Sequence, residues 1–127
     1  MQSTIAALFR DAEQIETAEG AATAFQLYRQ WIAFNPQDPH LAAAHFNMAV
    51  VAQRSGDSFA AINALRDALR IDPDFHPSYI NLGRLLEDLG QSGAGVSQWL
   101  ALVGRLSAVN GTTLRHKLMA LHQLGRV

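Results

Sequence analysis

The fold is decided by a stretch that occurs twice: residues 47–68, NMAVVAQRSGDSFAAINALRDA, and residues 81–102, NLGRLLEDLGQSGAGVSQWLAL. A shift of 34 residues places Asn47 on Asn81 and Gly56 on Gly90, and the small and large side chains between them also fall on residues of the same kind. A fixed period of this length is typical of architectures in which one helical unit stacks on the next. The sequence therefore predicts an internal repeat.

Outside this repeat, the sequence signals are those of helices. No stretch of strand length alternates apolar and polar residues with the Val, Ile and Thr content of a β-strand. Asp38-Pro39 and His76-Pro77 predict helix starts with a first-turn proline, and Gly56-Asp57 joins a helix-ending glycine to a capping aspartate. We expect an all-α fold of seven helices at residues 3–17, 21–34, 40–54, 58–71, 77–89, 94–108 and 112–124.

The period and the residue classes resemble the tetratricopeptide repeat (TPR) family. Two sets of residues carry the resemblance, one for each helix of a unit: Tyr79, Leu82, Gly83 and Leu86 with Gly90, and Ala61, Leu65, Ala68 and Pro73. The resemblance implies one domain over residues 1–127, a right-handed α-solenoid of three helix hairpins at about 3–36, 40–73 and 77–108. A final helix at 112–124 would follow them.

The repeat also predicts how the hairpins pack. Small residues stand where two helices must approach closely, and large residues stand where the space between helices must be filled. The predicted small positions are Ala49, Ala61, Ala68 and Gly83, and the predicted large positions are Tyr28, Leu65 and Trp99.

Composition excludes several classes of protein. The 127 residues are 49% hydrophobic and 17% charged, with a net charge of −1, which is a poor basis for neutralising nucleic-acid phosphates. No cysteine is present, so disulfides, thiolate zinc sites and cysteine nucleophiles are excluded. No apolar run reaches membrane-spanning length, and no signal-peptide pattern precedes Ile5–Phe9. We expect a cytoplasmic protein that binds neither membrane nor nucleic acid.

The sequence offers no pattern for catalysis or for a cofactor. The five histidines include no pair at the i, i+4 spacing of a helical metal site and no HExxH motif. His45 occupies a position where the repeat prefers an aromatic residue, so we interpret it as a packing residue. Gly93-Ala94-Gly95 follows no strand and reads as an interhelical turn rather than a phosphate loop. We expect no catalytic residue, no metal and no cofactor, so this chain alone would not be an enzyme.

The resemblance implies a binding groove, because the first helix of each TPR unit lines a concave surface that receives an extended peptide. The expected partner is therefore a protein or an extended peptide. Repeat register assigns to this groove residues from the third, fifth and last helices: Phe46, Asn47, Val50, Gln53 and Arg54; Ile80, Asn81, Arg84, Glu87 and Asp88; Arg115, Met119, His122 and Gln123.

Asn47 and Asn81 are the most specific residues of that set. A carboxamide both donates and accepts, so it can pair with a peptide backbone without reading its side chains. The arrangement resembles the asparagine ladder in the TPR superhelix of O-linked N-acetylglucosamine transferases. The alternative is that Asn47 and Asn81 bond neighbouring helices or water. The TPR subclass that grips a carboxylate tail is disfavoured, because the corresponding positions here hold Phe9, Phe46, Pro77 and Asn81.

Three segments also resemble the N-terminal TPR region of bacterial SPINDLY-type glycosyltransferases: residues 27–36, 79–84 and 121–127. A substrate-guiding segment of such an enzyme, whose catalytic domain is absent here, is thus one alternative to a free peptide-binding module. Another alternative is a self-associating scaffold. Apolar residues off the packing stripe of the last helix predict a patch covered by a further helix or by a second copy, that is, a homodimer.

Charge is distributed unevenly along the chain. Four basic residues and no acid follow Asp88, whereas the remainder of the chain has a net charge of −5. A positive C-terminal end of this kind would steer acidic peptide segments.

Overall fold

The computed structural model describes residues 4–90 and 92–106. This part of the chain consists of helices joined by short turns and contains no strand. The helices are α1 (Ile5–Glu19), α2 (Ala21–Phe34), α3 (Leu41–Arg54), α4 (Ser58–Ile71), α5 (His76–Asp88) and α6 (Ser92–Leu106). The all-α expectation is confirmed, and each of these helices begins and ends within two residues of its predicted bounds. The predicted helix at 112–124 and its apolar patch lie outside the described residues.

The chain divides into two compact units between Asp72 and Pro73. In the first unit α1 packs on α2, α2 on α3, and α3 on α4; in the second unit α5 packs on α6. Sequential neighbours therefore form the helix hairpins that the repeat predicts. The division falls at the junction expected between the second and third hairpins.

Local capping explains where several helices start. The Thr4 hydroxyl accepts a hydrogen bond from the Ala7 N–H at 3.1 Å, and the Asp57 carboxylate accepts one from the Ala60 N–H at 3.0 Å. Asp57 follows Gly56, whose φ of 84° reverses the chain after α3. Pro77 lies in the first turn of α5, where its missing N–H costs no hydrogen bond. The predicted starts at Asp57 and Pro77 are confirmed.

The predicted cap at Asp38 is wrong. The N-cap of α3 is His40, whose side chain makes no capping bond, and Pro39 stands in the turn before the helix. Asp38 instead accepts a hydrogen bond from the N–H of His40, two residues on, at 2.8 Å. The aspartate closes the turn that leads into α3, because such short polar side chains bond their own backbone as readily as a helix end.

The core of the first unit follows the small-and-large pattern. Ala49, Ala61 and Ala68 have no exposed surface, and Leu65 is also completely buried among them. Tyr28 and Trp31, both on α2, are the large aromatic residues of this core. The small residues allow helices to approach, and the large ones fill the volume that remains.

In the second unit α5 and α6 approach one another closely at two glycines. A Cβ added to Gly95 on α6 would lie 3.0 Å from the carbonyl oxygen of Gly83 on α5 and 2.8 Å from Cγ of Glu87. Leu82, Leu86 and Leu102 are buried in the same unit. The predicted small position Gly83 is confirmed, whereas the side chain of Trp99 lies outside the described part.

His45 lies between α3 and α4, as its interpretation as a packing residue requires. Its side chain is 12% exposed, and Nδ1 lies 4.0 Å from Oδ2 of Asp67. That nitrogen is buried and makes no hydrogen bond. Burial lowers the pKa of His45, and the positive charge of Arg70, which pairs with Asp67, lowers it further. The imidazole is therefore held neutral in the folded chain.

We expect Gly95→Ala to destabilise the protein although alanine favours a helix. Overpacking against backbone typically costs about 1–3 kcal/mol, which exceeds the gain in helix propensity of about 1 kcal/mol. Gly93→Ala is the matched control on the same helix, because an added Cβ there meets nothing within 4 Å. Urea unfolding should show a net loss for Gly95→Ala and no loss for Gly93→Ala. Equal stability of the two variants would contradict the close approach.

The buried His45 should make the protein less stable in mild acid. The pKa of His45 is lower in the folded state than its usual value of 6.5. Below pH 6.5 the imidazole is therefore more often protonated in the unfolded chain than in the folded chain. The free energy of unfolding should therefore fall as the pH drops from 6.5 through the folded pKa. Urea unfolding of His45→Gln should lack this component, whereas His40→Gln, at an exposed position, should retain it. A parallel pH dependence in both variants would argue against the assignment.

Candidate binding pocket between α1 and α3

A pocket of about 290 Å³ opens on the first unit. Two helices supply its walls. Each wall is one helix face, formed by residues three and four apart along the helix. Tyr28 of α2 completes the lining. The lining residues are Phe9, Ala12, Glu13 and Glu16 from α1, Tyr28, and Asn47, Val50, Val51 and Arg54 from α3.

The aromatic part of the pocket is formed by Phe9 and Tyr28. Their ring centroids are 6.5 Å apart with an interplanar angle of 47°, a tilted arrangement within the range of favourable aromatic pairs. Tyr28 is only 4% exposed, and Ala12 beside it is 2% exposed. The pocket therefore has a rigid, largely apolar side built from buried groups.

Tyr28 supplies a hydroxyl to this pocket. Only 4% of the residue is exposed, but its hydroxyl is not one of the buried side-chain atoms that lack a hydrogen-bond partner. Burial raises the pKa of Tyr28 to about 12, and the nearby Glu16 carboxylate also raises it, against an opposing effect of Arg54. The hydroxyl consequently stays protonated and offers both a donor and an acceptor near the charged end of the pocket.

The charged end of the pocket is closed by an ion pair between α1 and α3. Arg54 donates through Nη1 to Oε1 of Glu16 at 2.8 Å. The two side chains are 59% and 21% exposed, so the pair contributes at most about 1 kcal/mol to stability. Glu13, one turn before Glu16, is exposed at the same pocket. The main consequence of the Glu16–Arg54 ion pair is chemical. The Arg54 guanidinium is already bound to Glu16, whereas the Glu13 carboxylate is not bound to Arg54.

Asn47 contributes a carboxamide to the α3 wall of the pocket. Its Nδ2 donates to the carbonyl oxygen of Ala43 in its own helix at 3.0 Å, so one donor is used within α3. The side chain is half-buried and lines the pocket. The bond that the structure shows is thus neither to a neighbouring helix nor to a ligand, and the amide oxygen remains available to one.

Part of this pocket consists of residues that repeat register assigned to a groove. Asn47, Val50 and Arg54 line it, while Phe46 is half-buried and Gln53 exposed on the same helix. Six further lining residues lie outside the predicted set: Phe9, Ala12, Glu13, Glu16, Tyr28 and Val51. The four of these on α1 could have been found by their spacing along one helix face, but the N-terminal unit diverges too far from the repeat for register to assign them.

The predicted groove residues of the second unit lie on α5. Ile80 is only 6% exposed, so little of its surface is available to a ligand. Asn81 and Glu87 are half-buried, and Arg84 and Asp88 are exposed. The remaining predicted residues, Arg115, Met119, His122 and Gln123, lie outside the described residues.

The described ranges contain neither a metal-binding group of side chains nor a membrane-spanning helix. Residues 4–90 and 92–106 contain no group of three His, Cys, Asp or Glu side chains placed to hold a metal ion. In the same ranges no helix combines the length and the apolar character that crossing a membrane requires.

The two tyrosines provide a matched test of what each hydroxyl contributes. Tyr79 donates through its hydroxyl to the carbonyl oxygen of Pro73 at 2.8 Å, whereas Tyr28 lines the pocket. We expect Tyr79→Phe to lower the free energy of unfolding by about 0.5–1.5 kcal/mol and Tyr28→Phe to leave it nearly unchanged. Urea unfolding of both variants checks this. A loss for Tyr28→Phe as large as that for Tyr79→Phe would mean that its hydroxyl is structurally bonded.

Residues 42–75, which run from the second residue of α3 to the turn after α4, match the family described as tetratricopeptide repeat. A comparison with curated proteins finds no significant sequence match.

Among solved structures, the TPR domain of Sgt2 from Aspergillus fumigatus is similar, with a TM-score of 0.69 and 15% identity, over 98% of this chain and 82% of that one. Two structures of MamA each give a TM-score of 0.65, at 15% and 14% identity, over 93% of this chain and 67% and 62% of theirs. At this identity the similarity concerns the fold, and TPR folds typically present concave surfaces for protein–protein interaction. Residues 42–75 therefore match one tetratricopeptide repeat, and the described part of the chain has the all-helical fold seen in TPR domains.

Proposed function

We propose that the chain is a non-catalytic module that binds a protein or an extended peptide, with the pocket between α1 and α3 as its primary site. The observation that carries this proposal is the pocket itself, which combines the aromatic pair of Phe9 and Tyr28 with the Asn47 carboxamide and the exposed Glu13 carboxylate. Clefts that combine apolar walls with a few polar groups are typical of binding sites.

The size of the pocket favours a peptide over a cofactor. Sites for small molecules usually measure about 300–1,000 Å³ and enclose most of the ligand. At about 290 Å³ this pocket lies at the lower limit of that range and is partly open, which suits a single side chain of a longer ligand. Phe9 and Val50 offer apolar contact to that side chain, and the Asn47 amide oxygen offers an acceptor to the adjoining backbone N–H.

The binding module is preferred to the two alternatives raised by the sequence. A substrate-guiding segment of a SPINDLY-type glycosyltransferase and a self-associating scaffold would depend on features outside the described residues. The pocket, by contrast, lies within the first unit and is formed by residues of α1, α2 and α3 alone. Asn81 and the exposed Arg84 and Asp88 of α5 remain proposed contacts for the same class of partner.

Val50→Lys should abolish peptide binding at this site, because the longer side chain fills the pocket from the α3 wall. Peptides selected from a displayed random library against the full chain are expected to lose about tenfold or more in affinity for this variant. The matched control is Asn63→Lys, which adds the same charge at an exposed position of α4. Thermal melting should confirm that both variants are folded. Selected peptides that bind Val50→Lys and the unaltered chain equally would show that this pocket is not the site.

A further inference from the structure

We infer that the pocket between α1 and α3 selects extended peptides that carry a lysine or arginine side chain, which enters the pocket beside Glu13 and Glu16. This inference rests on the proposed function and names the chemistry of its ligand. Three observations support it: the balance of charge in the pocket, the ion pair that engages Arg54, and the neutral acceptors of Tyr28 and Asn47 in the lining.

The charge balance of the pocket favours a cation. Two carboxylates, Glu13 and Glu16, line it against one guanidinium, that of Arg54. The helix that supplies both carboxylates carries four acids and one arginine over residues 5–19. The first 72 residues contain eight acids and five basic residues, a net charge of −3. Both the pocket and the surrounding unit therefore attract a positively charged ligand.

The Glu16–Arg54 ion pair makes the pocket a poor receptor for an acidic side chain. Arg54 already donates to Glu16, and no other basic residue lines the pocket. A ligand carboxylate would have to break this pair and would then lie beside two like charges. A ligand ammonium or guanidinium instead meets the carboxylate of Glu13 without displacing Arg54.

Neutral groups in the pocket also suit a cation. The Tyr28 hydroxyl oxygen can accept a hydrogen bond from an N–H donor, as can the amide oxygen of Asn47. Phe9 and Tyr28 present aromatic rings to the same space, and ring faces attract ammonium and guanidinium groups. The apolar stem of lysine or arginine would pack on Val50 while its charged head reaches the carboxylates.

The positive C-terminal end of the chain favours an acidic ligand, whereas the pocket favours a basic one. Its four basic residues follow Asp88 and led to the expectation of an acidic peptide, but three of them lie outside the described residues. We therefore expect the pocket to bind a basic residue even where another part of the ligand is acidic. A test must consequently change the charge at the pocket and not merely the charge of the whole chain.

The experiment selects peptides from a displayed random library against the full-length chain and against two variants, Glu13→Gln and Glu19→Gln. Glu13 lines the pocket, whereas Glu19 is an exposed residue at the end of the same helix, so the two variants lose the same charge. The unaltered chain should enrich peptides with lysine or arginine at one fixed position. Replacing that residue by the neutral isostere of arginine, citrulline, should weaken binding about tenfold.

Glu13→Gln should weaken binding of the arginine peptide several-fold and leave binding of the citrulline peptide unchanged, whereas Glu19→Gln should change neither. Binding of the arginine peptide should also weaken between about 50 mM and about 300 mM salt. Equal effects of the two variants would overturn the inference, because net charge and not the pocket would then act. Enriched peptides without a basic residue would overturn it while leaving the binding function intact. A failure to enrich any peptide would overturn the binding function and the inference together.

Discussion

The close approach of paired helices is the constraint on which this structure depends. It is clearest at Gly95, where even one additional carbon would lie 3.0 Å from the carbonyl oxygen of Gly83 and 2.8 Å from the side chain of Glu87. One repeat period earlier, the equivalent positions are Ala49 and Ala61, neither of which has any exposed surface. Helices in such close contact bury backbone as well as side chains, so small residues at these positions decide which helices pair.

Helix pairing of this kind also creates the pocket. Each helix places residues three and four apart on one face, so α1 and α3 each contribute a wall. Between them Tyr28 of α2 is nearly completely buried and lines the pocket. The same residue therefore fills the core and forms part of the pocket surface.

The charges at the pocket have two distinct roles. Glu16 and Arg54 neutralise one another across the gap between α1 and α3, which connects the two walls at little gain in stability. Glu13, in contrast, is exposed at the pocket. Under the proposed function, this carboxylate would favour a basic over an acidic side chain, because only the basic one would enter without an unpaired charge.

The sequence by itself determined the helices and the repeat. Glycine and proline punctuation, the cap at Asp57 and the recurrence of small residues are local signals, so they predicted α1 to α6 within two residues and placed Asn47, Val50 and Arg54 on one face of α3. Local signals misled at Asp38, where a turn and a helix start compete for the same carboxylate. Only the tertiary structure decided that Glu16 meets Arg54, 38 residues away, and that Tyr28 lines a pocket together with them. Such contacts depend on how α1, α2 and α3 pack in three dimensions, and no spacing along a single helix encodes them.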